Sequence, residues 1–190
     1  SRLTLAPETR LELAFSESQR RVRLVQGEVF SAVAVNLERP FVVETDRGIA
    51  QVTGTQFEMV ARGNDYSVTG AEGAVQAKTL EGSLSVELMP GERVRLLSDS
   101  ELGAKEEVFP EEMASWRFGR LSFVRAELSE LVASFNRYSD RPITVEPSVA
   151  DEIVTGTFNT GDIPAALETL QEILPITVRA EGETTVIGPQ

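Results

Sequence analysis

The stretch DIPAALETLQEILPITV, residues 162–178, contains an amphipathic helix pattern that ends in the tetrapeptide Pro-Ile-Thr-Val. Its apolar residues recur at the three- and four-residue spacing that places side chains on one face of a helix. We expect Asp162 to cap the helix, Pro164 to lie in its first turn and Pro175 to end it. The stretch therefore predicts a helix followed by a short strand.

The same order of elements occurs a second time, earlier in the chain. Pro-Ile-Thr-Val also stands at residues 142–145, after apolar residues with helical spacing from Leu128 to Tyr138. Strand-like segments precede both helices, at residues 121–123 and 155–158, and residues 185–187 add a last strand. Residues 119–190 therefore predict an α+β domain of two tandem βαβ units, in the order βαβ-βαββ.

Residues 1–109 show the period-two alternation of half-buried strands and predict a mainly β N-terminal domain. The alternation is found at residues 11–15, 22–24, 33–35, 84–88 and 94–96. Gly73, Gly82 and Gly91 recur every nine residues, a spacing that fits a short-rung solenoid or a sandwich with tight hairpins. We expect a short helix from Pro110 onward, so that residues 110–118 form a short helical linker between the domains.

Composition excludes several functional classes. The formal net charge is −12, so there is no basic footprint for nucleic acid. Histidine and cysteine are both absent, which removes the usual general base, the commonest metal ligands and disulfides. We therefore expect no catalytic residues, cofactor or metal site. No apolar run is long enough to span a membrane, and the start at Ser1 without a methionine indicates a fragment of a longer protein.

The peptide bond between Gly54 and Thr55 is a candidate for self-cleavage. A threonine hydroxyl can attack the preceding carbonyl carbon, provided that the residue before it is small and the backbone is strained. Such a reaction turns over once and needs neither histidine nor cysteine. The alternative is that Gly54 provides a bulge or tight turn in a strand.

Trp116 is the only tryptophan in the chain. It could act as an anchor in a protein interface. We favour buried packing between the two domains, because a large indole ring contributes much apolar area wherever it is covered.

A series of motifs, taken in order, resembles the FecR-type regulators. The N-terminal motifs are residues 26–30 (QGEVF), 39–43 (RPFVV), 53–57 (TGTQF), 68–75 (VTGAEGAV) and 90–92 (PGE). The later motifs are residues 116–123 (WRFGRLSF), 136–138 (NRY) and 154–158 (VTGTF). The resemblance covers about residues 22–188. Thr53 departs from it, since the family more often has an apolar residue before Gly-Thr, and the opening strands look truncated.

This resemblance implies a periplasmic location and a role in signalling across the cell envelope of Gram-negative bacteria. FecR-type proteins are anti-sigma regulators with a cytoplasmic segment that contacts a sigma factor and one transmembrane helix, both absent from this sequence. The periplasmic part binds the N-terminal signalling domain of a TonB-dependent outer-membrane transducer and relays the availability of iron-siderophores. Some relatives are processed at a Gly-Thr bond in this motif. Residues 119–190 are similar to the secretin/TonB short N-terminal (STN) domain.

We expect the partner to dock on the C-terminal repeat, because an open sheet leaves strand edges that another strand can complete. The candidate partner-binding residues are Thr155, Thr157, Phe158, Thr177 and Arg179. Two other interpretations remain. The chain could be an STN-type assembly or adaptor domain of an outer-membrane secretin or receptor, although the long β module before the repeat argues against it. A carbohydrate-binding β module would need more aromatic residues along one β face than residues 1–108 contain.

Overall fold

The computed structural model describes residues 1–109 and 112–190. The chain divides into two compact units, Ser1–Ala114 and Ser115–Gln190, and this division falls within the predicted linker 110–118. No helix in the described residues is long and apolar enough to cross a membrane.

The N-terminal unit is built from eleven strands in the described residues. They are β1 (Arg2–Leu5), β2 (Arg10–Phe15), β3 (Arg20–Ala32), β4 (Phe41–Glu44), β5 (Gly48–Val52), β6 (Gln56–Arg62), β7 (Asp65–Glu72), β8 (Val75–Thr79), β9 (Ser85–Leu88), β10 (Glu92–Leu96) and β11 (Leu102–Glu107). The strand order is β11-β10-β7-β6-β3-β4-β5-β8-β9, and β1 and β2 both pair with β3.

Strand β3 joins the two halves of this sheet. One half contains β1, β6, β7, β10 and β11, and the other contains β2, β4, β5, β8 and β9. The first part of β3, residues 20–26, pairs with β2 and β4, and its second part, from Gly27, pairs with β1 and β6. Gly27 has a φ angle of +103°, a conformation that a residue with a Cβ atom rarely adopts. Buried residues of both halves, such as Leu24 and Phe57, form one apolar core. Apart from β3–β4, the described strand pairs of this unit are all antiparallel, which fits the predicted sandwich with tight hairpins and not the parallel rungs of a solenoid.

The nine-residue glycine spacing marks turns of two kinds. Gly73, Gly82 and Gly91 all have positive φ angles. Gly82 lies in the hairpin between the paired strands β8 and β9. Gly73 and Gly91 lie where the chain passes from one half of the sheet to the other, since β7 and β8 do not pair and neither do β9 and β10.

Two details of the predicted β pattern are wrong. The side chains of Leu13 and Phe15 in β2 remain 67% and 57% exposed, because β2 lies at the edge of the sheet, where β3 is its one partner among the described strands. The alternation at Val33 and Val35 does not form a strand, since β3 ends at Ala32. Val33 is buried, whereas Val35 is 76% exposed.

Within the described residues, the predicted helical linker is helical only in its last part. Its predicted start at Pro110 and Glu111 lies outside the described residues. Residues 112–114 form a turn, and one turn of 3-10 helix follows at Ser115–Phe118.

The C-terminal unit confirms the predicted βαβ-βαββ order. Its elements are β12 (Arg120–Glu127), α1 (Leu128–Phe135), β13 (Ile143–Val145), β14 (Ile153–Asn159), α2 (Ile163–Ile173), β15 (Ile176–Glu181) and β16 (Thr184–Pro189). The first strands of the two repeats, β12 and β14, form an antiparallel pair, and the second strands flank β16 in the order β13-β16-β15. Both helices pack on one apolar core that includes Leu131, Phe135 and Leu170.

Local side-chain bonds set the limits of the two helices. The carboxylate of Asp162 accepts a hydrogen bond from the Ala165 N–H at 3.0 Å, so Asp162 caps α2 as predicted. Helix α1 ends at Phe135, one turn before the predicted limit at Tyr138. The cause is Asn136, whose side-chain amide bonds both the N–H and the carbonyl of Ile143 and ties the end of the helix to β13.

Candidate functional site

The C-terminal unit leaves the two strands that carry the predicted binding residues at sheet edges. Strand β14 pairs with β12 alone, and β15 pairs with β16 alone, within the described part of the chain. Each therefore has one side that no other strand covers. Thr155, Thr157 and Phe158 lie on β14, whereas Thr177 and Arg179 lie on β15, so the five candidate residues belong to two different sheets.

Thr155 supports an irregularity in the neighbouring strand. Its hydroxyl oxygen accepts a hydrogen bond from the Arg125 N–H at 2.9 Å. Arg125 has a φ angle of +52° and lies where the register between β12 and β14 shifts. A bulge of this kind leaves an N–H without its ladder partner, and the Thr155 side chain provides one.

Thr157 lies on the exposed side of the β12–β14 pair. It is opposite Ser122, and the two hydroxyl oxygens are 3.1 Å apart. Of the three β14 candidates, Thr157 is the one whose hydroxyl faces outward beside a second hydroxyl and remains available to a partner.

Phe158 does not fit a docking role, and we correct that prediction. Its side chain is 8% exposed and packs edge-on against Phe135, with 5.4 Å between the ring centroids. The ring points toward the helices because successive side chains alternate between the two faces of a strand. Phe158 therefore belongs to the core of the unit.

Thr177 and Arg179 are both held by contacts within the unit. The Thr177 hydroxyl donates to the carbonyl of Pro189 at 3.1 Å. The Arg179 guanidinium bonds Glu181 at 2.7 Å and also contacts Glu146. The bonds to Glu181 and Glu146 raise the pKa of Arg179 above its already high ordinary value, so this side chain is a permanent positive charge on the rim of the sheet.

A groove of about 530 Å³ lies in the C-terminal unit beside β15. Its walls are the segment after α1 (residues 138–141), the loop that leads into α2 and the residues 178–180 of β15. Val178 and the ring of Tyr138, both half-buried, contribute apolar surface, and Arg179 also lines the groove. The groove therefore combines apolar surface with an open strand edge.

Sequence reasoning missed Gln171, which also lines this groove. Its side-chain oxygen accepts a hydrogen bond from the backbone N–H of Val178 at 2.6 Å. Gln171 occupies an ordinary polar position in the predicted helix, and no local pattern indicates that it reaches a strand edge. The contact exists only because α2 packs on β15.

The Gly54–Thr55 bond lies in the bend between β5 and β6. A Cβ atom on Gly54 would come within 2.6 Å of the Val35 Cα atom, so only glycine fits. Thr55 is buried, and its hydroxyl has no hydrogen-bond partner in the described residues. This is unusual, because buried hydroxyl groups are nearly always bonded. The other Gly-Thr bond, at 156–157, lies within β14, where the Thr157 hydroxyl has a partner.

Trp116 is half-buried in the turn of 3-10 helix at the start of the C-terminal unit. It packs against the apolar core of that unit. Its role in packing between the domains stays a prediction.

Comparisons with known proteins agree with the two-part organisation. Residues 1–76 match the family model "FecR protein", and residues 120–187 match the model "FecR, C-terminal". A comparison with curated protein sequences gives no match.

Two crystal structures of a candidate anti-sigma factor from Parabacteroides distasonis ATCC 8503, at 1.65 and 2.50 Å, have a similar fold. Both give a TM-score of 0.87 with 23% sequence identity. The similarity covers 99% of this chain and 90% or 89% of theirs.

The fold defines a two-part protein, with a β-sandwich unit followed by a tandem βαβ unit. The two family matches cover most of the chain and lie one in each unit. The chain therefore belongs to the FecR family, and it is a FecR-type anti-sigma regulator.

Proposed function

We propose that this chain is the periplasmic, partner-binding part of a membrane-spanning regulator that reports on an outer-membrane receptor. Its C-terminal repeat, an STN-like domain, binds the N-terminal signalling domain of a TonB-dependent transducer. The signal, the availability of an iron-siderophore, then reaches a cytoplasmic sigma factor through a segment outside this sequence. The FecR match over residues 1–76 supports this proposal over the alternative of a secretin or receptor adaptor domain.

The observation that carries the proposal is the pair of open strand edges in the C-terminal unit. A strand edge offers unpaired N–H and carbonyl groups, and an extended segment of another protein can bond to them. Thr157 on β14 and Arg179 on β15 add exposed polar groups near these edges. The β sandwich then serves as the spacer that connects this docking unit to the membrane.

The test is a pull-down from an outer-membrane extract, followed by titration with the purified signalling domain of the receptor that is retained. We expect the full chain to retain a TonB-dependent receptor and residues 1–118 alone to retain none, while circular dichroism shows that residues 1–118 keep their β structure. Full-strength binding by residues 1–118 would refute docking through the C-terminal repeat.

We also propose that the chain cleaves itself once at Gly54–Thr55. The Thr55 hydroxyl oxygen attacks the Gly54 carbonyl carbon, the bond to the Thr55 nitrogen breaks, and the hydroxyl proton moves to that nitrogen. Water then hydrolyses the ester, which gives the Gly54 carboxylate, restores the hydroxyl and leaves Thr55 with a free amine. The buried hydroxyl without a partner supports this proposal.

The two pieces would remain associated after cleavage. Residues on both sides of the bond belong to one apolar core, with Val52 before it and Phe57 after it, and buried apolar area contributes about 25 cal/mol per Å². Intact-mass spectrometry under denaturing conditions tests the reaction. We expect masses for residues 1–54 and 55–190, and the full mass in Thr55→Ala. Thr157→Ala is the matched control, because the second Gly-Thr bond should stay intact in every variant. A single species near 20.8 kDa after long incubation would contradict self-cleavage.

A further inference from the structure

The groove borders β15, a strand that pairs with β16 alone in the described part of the chain. The register of β15 with β16 places Thr177 opposite Gly188 and Val178 opposite Ile187. The Val178 N–H bonds to Gln171 of α2, so it points away from β16. Because backbone groups alternate between the two sides of an antiparallel strand, the N–H and carbonyl of Ala180 also point away from β16.

Gln171 occupies the position that a carbonyl of an added strand would take. Its side-chain oxygen lies 2.6 Å from the Val178 nitrogen, where the next strand of a sheet would place a backbone oxygen. Natural proteins often cover exposed sheet edges with a helix or loop to prevent unwanted pairing, and here a side chain of α2 covers part of the edge. A single side-chain amide covers one N–H, however, whereas an added strand can also bond the groups at Ala180.

The charges of the groove favour a neutral occupant. Its lining contains two acids, Asp140 and Glu168, and two bases, Arg141 and Arg179. Both bases already have partners, since Arg179 bonds Glu181 and Arg141 donates to the carbonyl of Gly182 at 2.6 Å. The two bases would therefore add little to the binding of an acidic segment, and the equal numbers of acids and bases give the lining no net charge that would select a charged one.

The apolar surface of the groove favours an occupant that has apolar side chains along one of its faces. Val178 and the ring of Tyr138 line the groove and are only half-buried, so their apolar surface remains open to an occupant. An extended segment with apolar residues at every second position would place them toward this surface, since side chains alternate along a strand.

We propose that this groove binds a neutral, extended segment of the partner protein as an added strand on β15, and that Gln171 is the placeholder that the segment displaces. This inference rests on the proposed function, in which the C-terminal repeat docks the partner. It selects β15 over β14 as the docking edge. It also assigns to Gln171 an inhibitory contact within the unit.

The test uses the full chain and amide NMR, with two probes. The first probe is the blocked peptide acetyl-Lys-Thr-Val-Thr-Val-Glu-amide. Its control counterpart has every backbone amide N-methylated, so that the methyl groups block both of its edges. The second probe is the receptor signalling domain retained in the pull-down. We expect both to shift the amide signals of Val178 and Ala180, and the N-methylated peptide to shift neither.

Variants at position 171 test the placeholder. Gln171→Ala removes the internal acceptor, so we expect about a fivefold gain in affinity, the equivalent of about 1 kcal/mol for one net hydrogen bond. Gln171→Glu keeps an acceptor and should not gain affinity. Glu172→Ala, at the exposed neighbouring position, is the control and should bind as the natural chain does. Weaker binding by Gln171→Ala would overturn the placeholder role.

The outcomes separate this inference from the proposed function. If the signalling domain binds the full chain but leaves the Val178 and Ala180 amides unchanged, the groove is the wrong site and the proposed partner stands. If the peptide shifts these amides while no signalling domain binds, the groove is a strand-docking site and the proposed partner is wrong.

Discussion

The hydroxyl groups of Ser122 and Thr157 lie 3.1 Å apart across strands β12 and β14. These two residues hold the same place in the two βαβ units, each directly before a phenylalanine of the core, Phe123 or Phe158. The repeats therefore pair through equivalent positions and share one core. The two repeats form a single structural unit, because strands of the first repeat pair with strands of the second: β12 with β14, and β13 with β16.

Thr157 and Thr155 should differ in their effect on stability. We expect Thr157→Val to change the free energy of unfolding by less than about 0.5 kcal/mol, since its bond to Ser122 is exposed and valine suits a strand. Thr155→Val should cost about 1 kcal/mol, because it leaves the Arg125 N–H at the bulge without its acceptor. Urea denaturation of the two variants measures the difference. Equal effects would show that the bulge does not depend on Thr155.

Phe158 should behave as a core residue. Phe158→Ala removes a ring that packs on Phe135 and Phe123, and we expect a loss of about 3–5 kcal/mol. Ile173→Ala is the control, since Ile173 is exposed at the end of α2, and it should cost less than about 0.5 kcal/mol. Thermal or urea unfolding checks both values. A small effect of Phe158→Ala would restore Phe158 as a candidate contact residue.

The sequence predicted the parts of the fold that depend on local signals. The cap at Asp162, the prolines around α2 and the alternation in β10 all act within a few residues, so the pattern contains them. The end of α1 was mispredicted because Asn136 bonds Ile143, seven residues further on and in another element. The exposure of Phe15 was missed for the same reason, since alternation gives the face of a strand and not whether another layer covers it.

The candidate site was less predictable than the fold. The sequence indicated strands with free edges, but the roles of the side chains depend on register. The register between β12 and β14 places Thr155 beside the bulge, and the side chain of Phe158 is buried. Neither fact can be predicted from the sequence of β14 alone. Gln171 contacts Val178 only through the packing of α2 on β15, so no spacing rule reveals it.

Gly27 should be among the least replaceable residues of the sandwich. A Cβ atom there would lie 2.4 Å from the Thr9 hydroxyl oxygen and 2.6 Å from the Thr9 Cα, and the φ angle is +103°. We expect Gly27→Ala to cost about 2–4 kcal/mol through strain and overpacking. Gly63→Ala is the matched control, with a φ of +55° but open space around the site, and should cost about 1 kcal/mol. Similar losses in the two variants would mean that contact with Thr9 is unimportant.

Glu92 should make stability depend on pH in the acid range. Its carboxylate accepts hydrogen bonds from the Lys105 ammonium and the Met89 N–H, each at 2.8 Å. These bonds, the one to Lys105 first, hold the pKa of Glu92 below its ordinary value. A carboxyl group whose pKa is lower in the folded state stabilises the fold above its unfolded pKa, about 4.3, and this contribution disappears as the pH falls through the folded value.

We therefore expect the free energy of unfolding to fall less steeply with acidification in Glu92→Gln than in the natural chain, below about pH 4.3. Lys105→Met should move the pKa of Glu92, measured by carboxyl NMR, back toward the ordinary value while the Met89 bond remains. The direction follows from the order of the two causes, since the lysine bond is the larger. A Glu92 pKa that Lys105→Met leaves unchanged would assign the shift to the Met89 N–H instead, and the pair across β10 and β11 would then have no part in acid stability.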